Sequence, residues 1–67
     1  MKRIYHIYFD CSGSVLIGEE TTSSSTEISL TTVRFVDANG NEHPLKDCQV
    51  NRNKIAFYYV ERKLEDE

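Results

Sequence analysis

The chain has 67 residues and a formal net charge of −3, with 11 acidic against 8 basic side chains. A chain this short makes one domain, residues 1–67, that buries only about 60% of its unfolded surface. A ligand cleft of roughly 300 Å³ or more is hard to build at this size, which weighs against an enzyme; the acidic balance weighs against a binder that works by neutralising phosphates.

The first strand is expected over residues 2–9, where Ile4, Tyr5, Ile7, Tyr8 and Phe9 suit a pleated surface. Asp10-Cys11-Ser12-Gly13 supplies turn residues, and Val15-Leu16-Ile17 reads as a short second strand within 14–18. Residues 19–26, rich in Glu, Thr and Ser, have nothing to bury and are expected to form a polar loop.

A third strand is expected over about residues 26–37, and its apolar pattern changes phase midway. Ile28 and Leu30 share one parity, Val33 and Phe35 the other, so a bulge near Thr31-Thr32 must insert one residue for all four to reach one core. Asn39-Gly40 readily takes the positive φ angles of a two-residue hairpin turn, which pairs this strand with a fourth over 42–50. Pro44 has no N–H to donate, so the fourth strand is irregular or lies at an edge where it begins.

Asn51-Arg52-Asn53 reads as a turn and residues 54–62 as the last strand. A C-terminal helix from Asn53 competes, because Phe57, Val60 and Leu64 fit helical spacing. The aromatic and β-branched run from Ile55 to Val60, without an acidic capping-box partner at Ala56, favours the strand. Residues 63–67 are expected to form an acidic tail. The fold class is therefore all-β: a small five-stranded antiparallel meander or SH3-like barrel, with α+β carrying a C-terminal helix as the alternative.

No segment reaches the roughly 18 apolar residues of a membrane span. No long apolar region follows Lys2-Arg3, so no signal peptide is expected. A cytoplasmic location follows, with Cys11 and Cys48 reduced.

Several groupings carry chemistry in principle. His6 and Cys11 repeat the spacing of His43 and Cys48, and two His with two Cys could close a zinc site. The close Cys knuckles of structural zinc sites are absent, and no metal or other cofactor is expected. Asp10-Cys11-Ser12-Gly13 holds nucleophile residue types without a nucleophile elbow, and turn chemistry explains it. Asp37-x-Asn39-x-Asn41 begins like a calcium loop, yet its glycine stands at the fourth position and Cys48 at the twelfth. No catalytic residue is expected.

The aromatic pattern is more specific. On both the first and the last strand, each alternating face is apolar or aromatic, whereas a single sheet needs only one such face. With Tyr5, Ile7, Phe9 and Ile55, Phe57, Tyr59 taken as internal, Ile4, His6, Tyr8, Tyr58 and Val60 remain outside as a binding patch. The expected function is a non-enzymatic protein-interaction module, a small inhibitor or regulator that blocks a surface or self-associates as a homodimer. Economy of chain fits a stand-alone bacterial or mobile-element regulator. The alternative is binding of single-stranded RNA, with Tyr5, Tyr8, Tyr58 and Tyr59 stacking bases and Lys2, Arg3, Arg52 and Lys54 holding phosphates.

Overall fold

The computed structural model describes residues 2–64 and forms one bent antiparallel sheet. Its strands are β1 (Lys2–Tyr8), β2 (Val15–Ser23), β3 (Glu27–Val36), β4 (Glu42–Pro44), β5 (Cys48–Asn51) and β6 (Phe57–Lys63). The order is β4-β3-β2-β1-β6, and β5 pairs with β3 beside β4. The sheet curls without closing, so it is an open all-β meander and not a sealed barrel. Six strands replace the expected five, because the segment over 42–50 is split. Its first part pairs with the second half of β3 and its last part with the first half.

That split follows from the bend in β3. Ile17 faces Arg34 and Glu19 faces Thr31, so Gly18 alone opposes both Thr32 and Val33. Thr32 sits at φ 52°, in the left-handed region, and absorbs the extra residue. This is the expected bulge, and it turns Ile28, Leu30 and Val33 into one core. Gly18 lets the strands close up at this point: a Cβ there would lie 3.0 Å from both Leu30 Cβ and Val33 Cγ2. Tyr5, Ile7, Leu16, Ile28, Leu30, Val33 and Val50 fill the concave side, with Phe35, Cys48, Ile55 and Val60 packed around them.

The central turn is longer than the two-residue form expected at Asn39-Gly40. The Gly40 N–H donates to Asp37 O at 2.9 Å and the Asp37 N–H to Asn41 O at 3.0 Å. Gly40 takes φ 89°, while Asn39 is not in the left-handed region. Asp37 Oδ1 accepts from the Asn39 and Asn41 N–H groups at 3.0 Å each. An Asp just before the turn therefore selects a three-residue loop with a positive-φ glycine at its end.

The polar run at 19–26 is also corrected. Through Ser23 it is strand, with Glu20 opposite Leu30 and Ser23 opposite Ile28. Only 24–26 turn, held by Ser24 Oγ, which accepts from the Thr26 and Glu27 N–H groups at 3.2 and 3.1 Å. Threonine suits a strand whose exposed side faces water, so polar composition alone did not mark a loop.

No α-helix forms at the C-terminal end among the described residues. Arg52–Lys54 make one 3₁₀ turn, capped by Asn51, and β6 follows. Of the expected acidic tail over 63–67, Lys63 ends β6, Leu64 is exposed, and 65–67 lie outside the described residues.

Candidate protein-interaction surface

Directly opposed residues of an antiparallel pair share a face. β1 and β6 pair Tyr5 with Val60, His6 with Tyr59, Ile7 with Tyr58, and Tyr8 with Phe57. Tyr5 and Ile7 are buried in the core, so Val60 and Tyr58 belong to the concave side. The patch expected from sequence is thus divided. Ile4, His6 and Tyr8 share the outer face with Phe57 and Tyr59, while Tyr58 and Val60 lie behind it.

The cause is a break in phase before β6. Ile55 packs against the core, yet Phe57 and Tyr59 point outward. Between them the chain leaves the 3₁₀ turn without pairing in the ladder, and the Ala56 N–H donates to Tyr8 O at 2.9 Å. Strict alternation from Ile55 therefore fails at Ala56, and the aromatic residues after it are reversed.

The outer face is an aromatic platform. Tyr8 stacks on Phe57 with centroids 4.6 Å apart and planes 11° apart. His6 stacks on Tyr59 at 4.4 Å and 5°. The other ring position of this row is fixed by an anchor, since His6 Nε2 lies 3.1 Å from Glu61 Oε1, which accepts its hydrogen bond. Ile17 stands opposite His6 on the far side of β1 and extends the apolar surface onto β2. A shallow depression of about 180 Å³ opens beside it, lined by Ile4, His6, Ile17, Arg34 and Glu61. Such stacked pairs contribute about 0.5–1.5 kcal/mol beyond their area burial. Even so, Phe57 and Tyr59 keep 52% and 53% of their surface in water.

β6 forms one border of the sheet, since β1 is the strand hydrogen-bonded to it. On the concave side of this border Tyr58 stacks on Tyr5 at 5.5 Å and 23°, yet remains 43% exposed. Burial pushes the Tyr5 phenol up, and the nearby Glu20 carboxylate adds to the effect.

The groups weighed for RNA do not converge. Tyr5 is 5% exposed and has no face free for a base. Lys2 and Arg3 sit at the Lys63 end of the β1–β6 ribbon and pair with Glu19 and Glu20, each at 3.7 Å. Arg52 and Lys54 precede Phe57 at the opposite end, and Arg52 Nε donates to Ser24 O at 2.6 Å. Of the four tyrosines Tyr58 and Tyr59 are open, but they lie on opposite faces of β6, and Tyr8 is stacked on Phe57.

The other groupings resolve into turns and pairs. The Ser12 side chain, and after it the Ser12 N–H that donates to Asp10 Oδ1 at 2.9 Å, hold the Asp10 carboxyl below the usual range, and the Ser12 and Ser14 hydroxyls bond each other at 2.9 Å. His43 Nε2 lies 3.1 Å from Asp37 Oδ2. Cys11 and Cys48 are free thiols, and burial, aided by Asp47, pushes the Cys48 thiol up. No cluster of three or more His, Cys, Asp or Glu able to hold a metal occurs among the described residues. No helix among them is long and apolar enough to cross a membrane.

No protein-family model matches the sequence, and no curated protein matches it.

Proposed function

We propose that this protein is a non-enzymatic interaction module that docks another polypeptide on the outer face of β1 and β6. One observation carries the reading: the rows Tyr8–Phe57 and His6–Tyr59 form a stacked apolar platform with its outermost rings half in water. Contiguous aromatic surface of this kind is suited to interfaces, because rigid rings bring large contact area at small cost in rotamer entropy. Ile4 and Ile17 frame the platform, and Glu61 fixes the imidazole in its row. A preordered surface loses less freedom on binding. The partner is a protein that is blocked or regulated by the contact, or a further copy of the chain. The free thiols of Cys11 and Cys48 fit a reducing, cytoplasmic setting.

Amide shifts of labelled protein, titrated with unlabelled protein or with fractionated cell extract, test this. They are expected to cluster on His6, Tyr8, Phe57 and Tyr59. Because anchor residues contribute about 2 kcal/mol or more each, Tyr8→Ala with Tyr59→Ala should weaken docking by orders of magnitude. The shift map of the unbound double variant should still show the folded sheet. Shifts that appear on this face only with single-stranded RNA, and that vanish at high salt, would overturn the reading in favour of nucleic-acid binding.

A further inference from the structure

Among the described residues no strand pairs with the outer edge of β6, and that edge is self-complementary. The opposite border of the sheet is blunted. β4 has three residues and includes Pro44, which cannot donate, while β5 has four and runs into the 3₁₀ turn. β6 has seven residues without proline or glycine, and its three aromatic side chains are all more than two-fifths exposed. A strand of this kind offers its free N–H and C=O groups to any strand laid beside it.

The sequence of β6, Phe-Tyr-Tyr-Val-Glu-Arg-Lys, selects which strand. Antiparallel self-pairing keeps free backbone groups opposed only in steps of two residues. Centred on Val60, the midpoint of β6, the pairing uses the whole strand. Val60 then meets Val60 of the second copy, Tyr59 meets Glu61, Tyr58 meets Arg62, and Phe57 meets Lys63. Each aromatic ring faces a charged group that suits it: the cations lie over Tyr58 and Phe57, and the Tyr59 hydroxyl can donate to a carboxylate. Centring on Glu61 instead sets two carboxylates against each other. Centring on Tyr59 leaves Lys63 beyond the strand and Arg62 opposite Ala56, outside the ladder. Charge and length therefore agree on one register.

We infer that two copies pair through β6 in antiparallel register about Val60, making one continuous sheet. This rests on the reading of the protein as an interaction module and names its partner at the border of the platform. The contact is isologous, so it closes on itself, and the blunted far edge stops the sheet from growing into a filament. Pairing would place the two platforms side by side, with Tyr59 of each copy nearest the shared axis.

The test uses the full chain. Sedimentation from micromolar to millimolar concentration is expected to show a monomer–dimer equilibrium. Isotope-filtered nuclear Overhauser contacts in a mixed labelled and unlabelled sample should join the Tyr58 ring to the Arg62 side chain of the second copy. Phe57→Lys sets two cations against each other and should weaken association by roughly tenfold or more, as expected for like charges placed opposite. Phe57→Lys with Lys63→Glu restores an opposed ion pair and should recover dimerisation. Both positions are exposed, and amide spectra will show that each variant is folded.

Three results would overturn the inference: a wild type that stays monomeric at millimolar concentration, contacts in another register, or no rescue by the double change. The two readings can fail separately. A monomer whose platform still docks a foreign protein removes only the β6 pairing. A β6 dimer whose Tyr8→Ala, Tyr59→Ala variant binds everything as before removes only the platform.

Discussion

Thr32 is the one described non-glycine residue held at positive φ. A β-branched side chain is poorly suited to that region, where its Cβ crowds the backbone. The conformation persists because both halves of β3 fix it, with Glu19 opposite Thr31 and Ile17 opposite Arg34. Since the Thr32 side chain is exposed, little packing is lost on replacing it. Thr32→Gly or Thr32→Asn should therefore stabilise the protein by about 1 kcal/mol or less, the relief of strain being partly offset for glycine by unfolded-chain entropy. Urea unfolding of the two variants measures it. A loss of stability in both would mean that the threonine hydroxyl or methyl contributes something the strain argument omits.

At the scale of elements, the β3–β4 hairpin depends on one carboxylate. Asp37 accepts from two backbone N–H groups of its own turn and faces His43 across it. The His43 hydrogen bond, and after it that from the Asn41 backbone, holds the Asp37 carboxyl below the usual range. A carboxyl whose pKa is lowered by folding stabilises the fold above its unfolded pKa and loses that contribution as pH falls through the folded value. Asp37→Ala should accordingly lower the melting temperature near neutral pH. The gap from wild type should close as the solution is acidified below the ordinary carboxylate range, which thermal melts against pH will show. Elements such as this turn were partly legible in the sequence. The phase change between Leu30 and Val33 revealed the β3 bulge, since no unbroken strand could bury both sets. The extension of β2 through Ser23 was not legible, because an exposed Thr-rich strand and a polar loop have the same composition. The true platform was hidden for a different reason. Its phase is set by how many residues the chain spends leaving the 3₁₀ turn before Phe57, and alternation along the sequence does not record that.

At the scale of the molecule, seven buried hydrophobic side chains among the described residues make up the core, and Ile7, Ile28 and Leu30 are the large ones essentially sealed from water. The open side of the sheet limits it: among the described residues the β6 border and the β4–β5 border do not pair, and Ile55 and Val60, packed against the core, stay only partly buried. Whether a curled sheet closes depends on its summed bend and strand lengths, which local patterns do not fix. A core of this size rarely supplies more than about 3–5 kcal/mol of net stability. Truncating a sealed branched side chain to alanine costs about 2–5 kcal/mol, through lost transfer energy and the cavity left behind. Ile28, fully buried where β3 meets both β2 and β5, is the position at which those two figures meet. Ile28→Ala is thus expected to leave the chain largely unfolded at room temperature, with flattened urea and thermal transitions. Leu45→Ala is the matched control, because Leu45 is 47% exposed and its loss should change stability by about 0.5 kcal/mol or less. Circular dichroism and amide spectra of the two variants decide the matter. An Ile28→Ala protein that still melted cooperatively close to wild type would show that the concave cluster is not the principal source of stability.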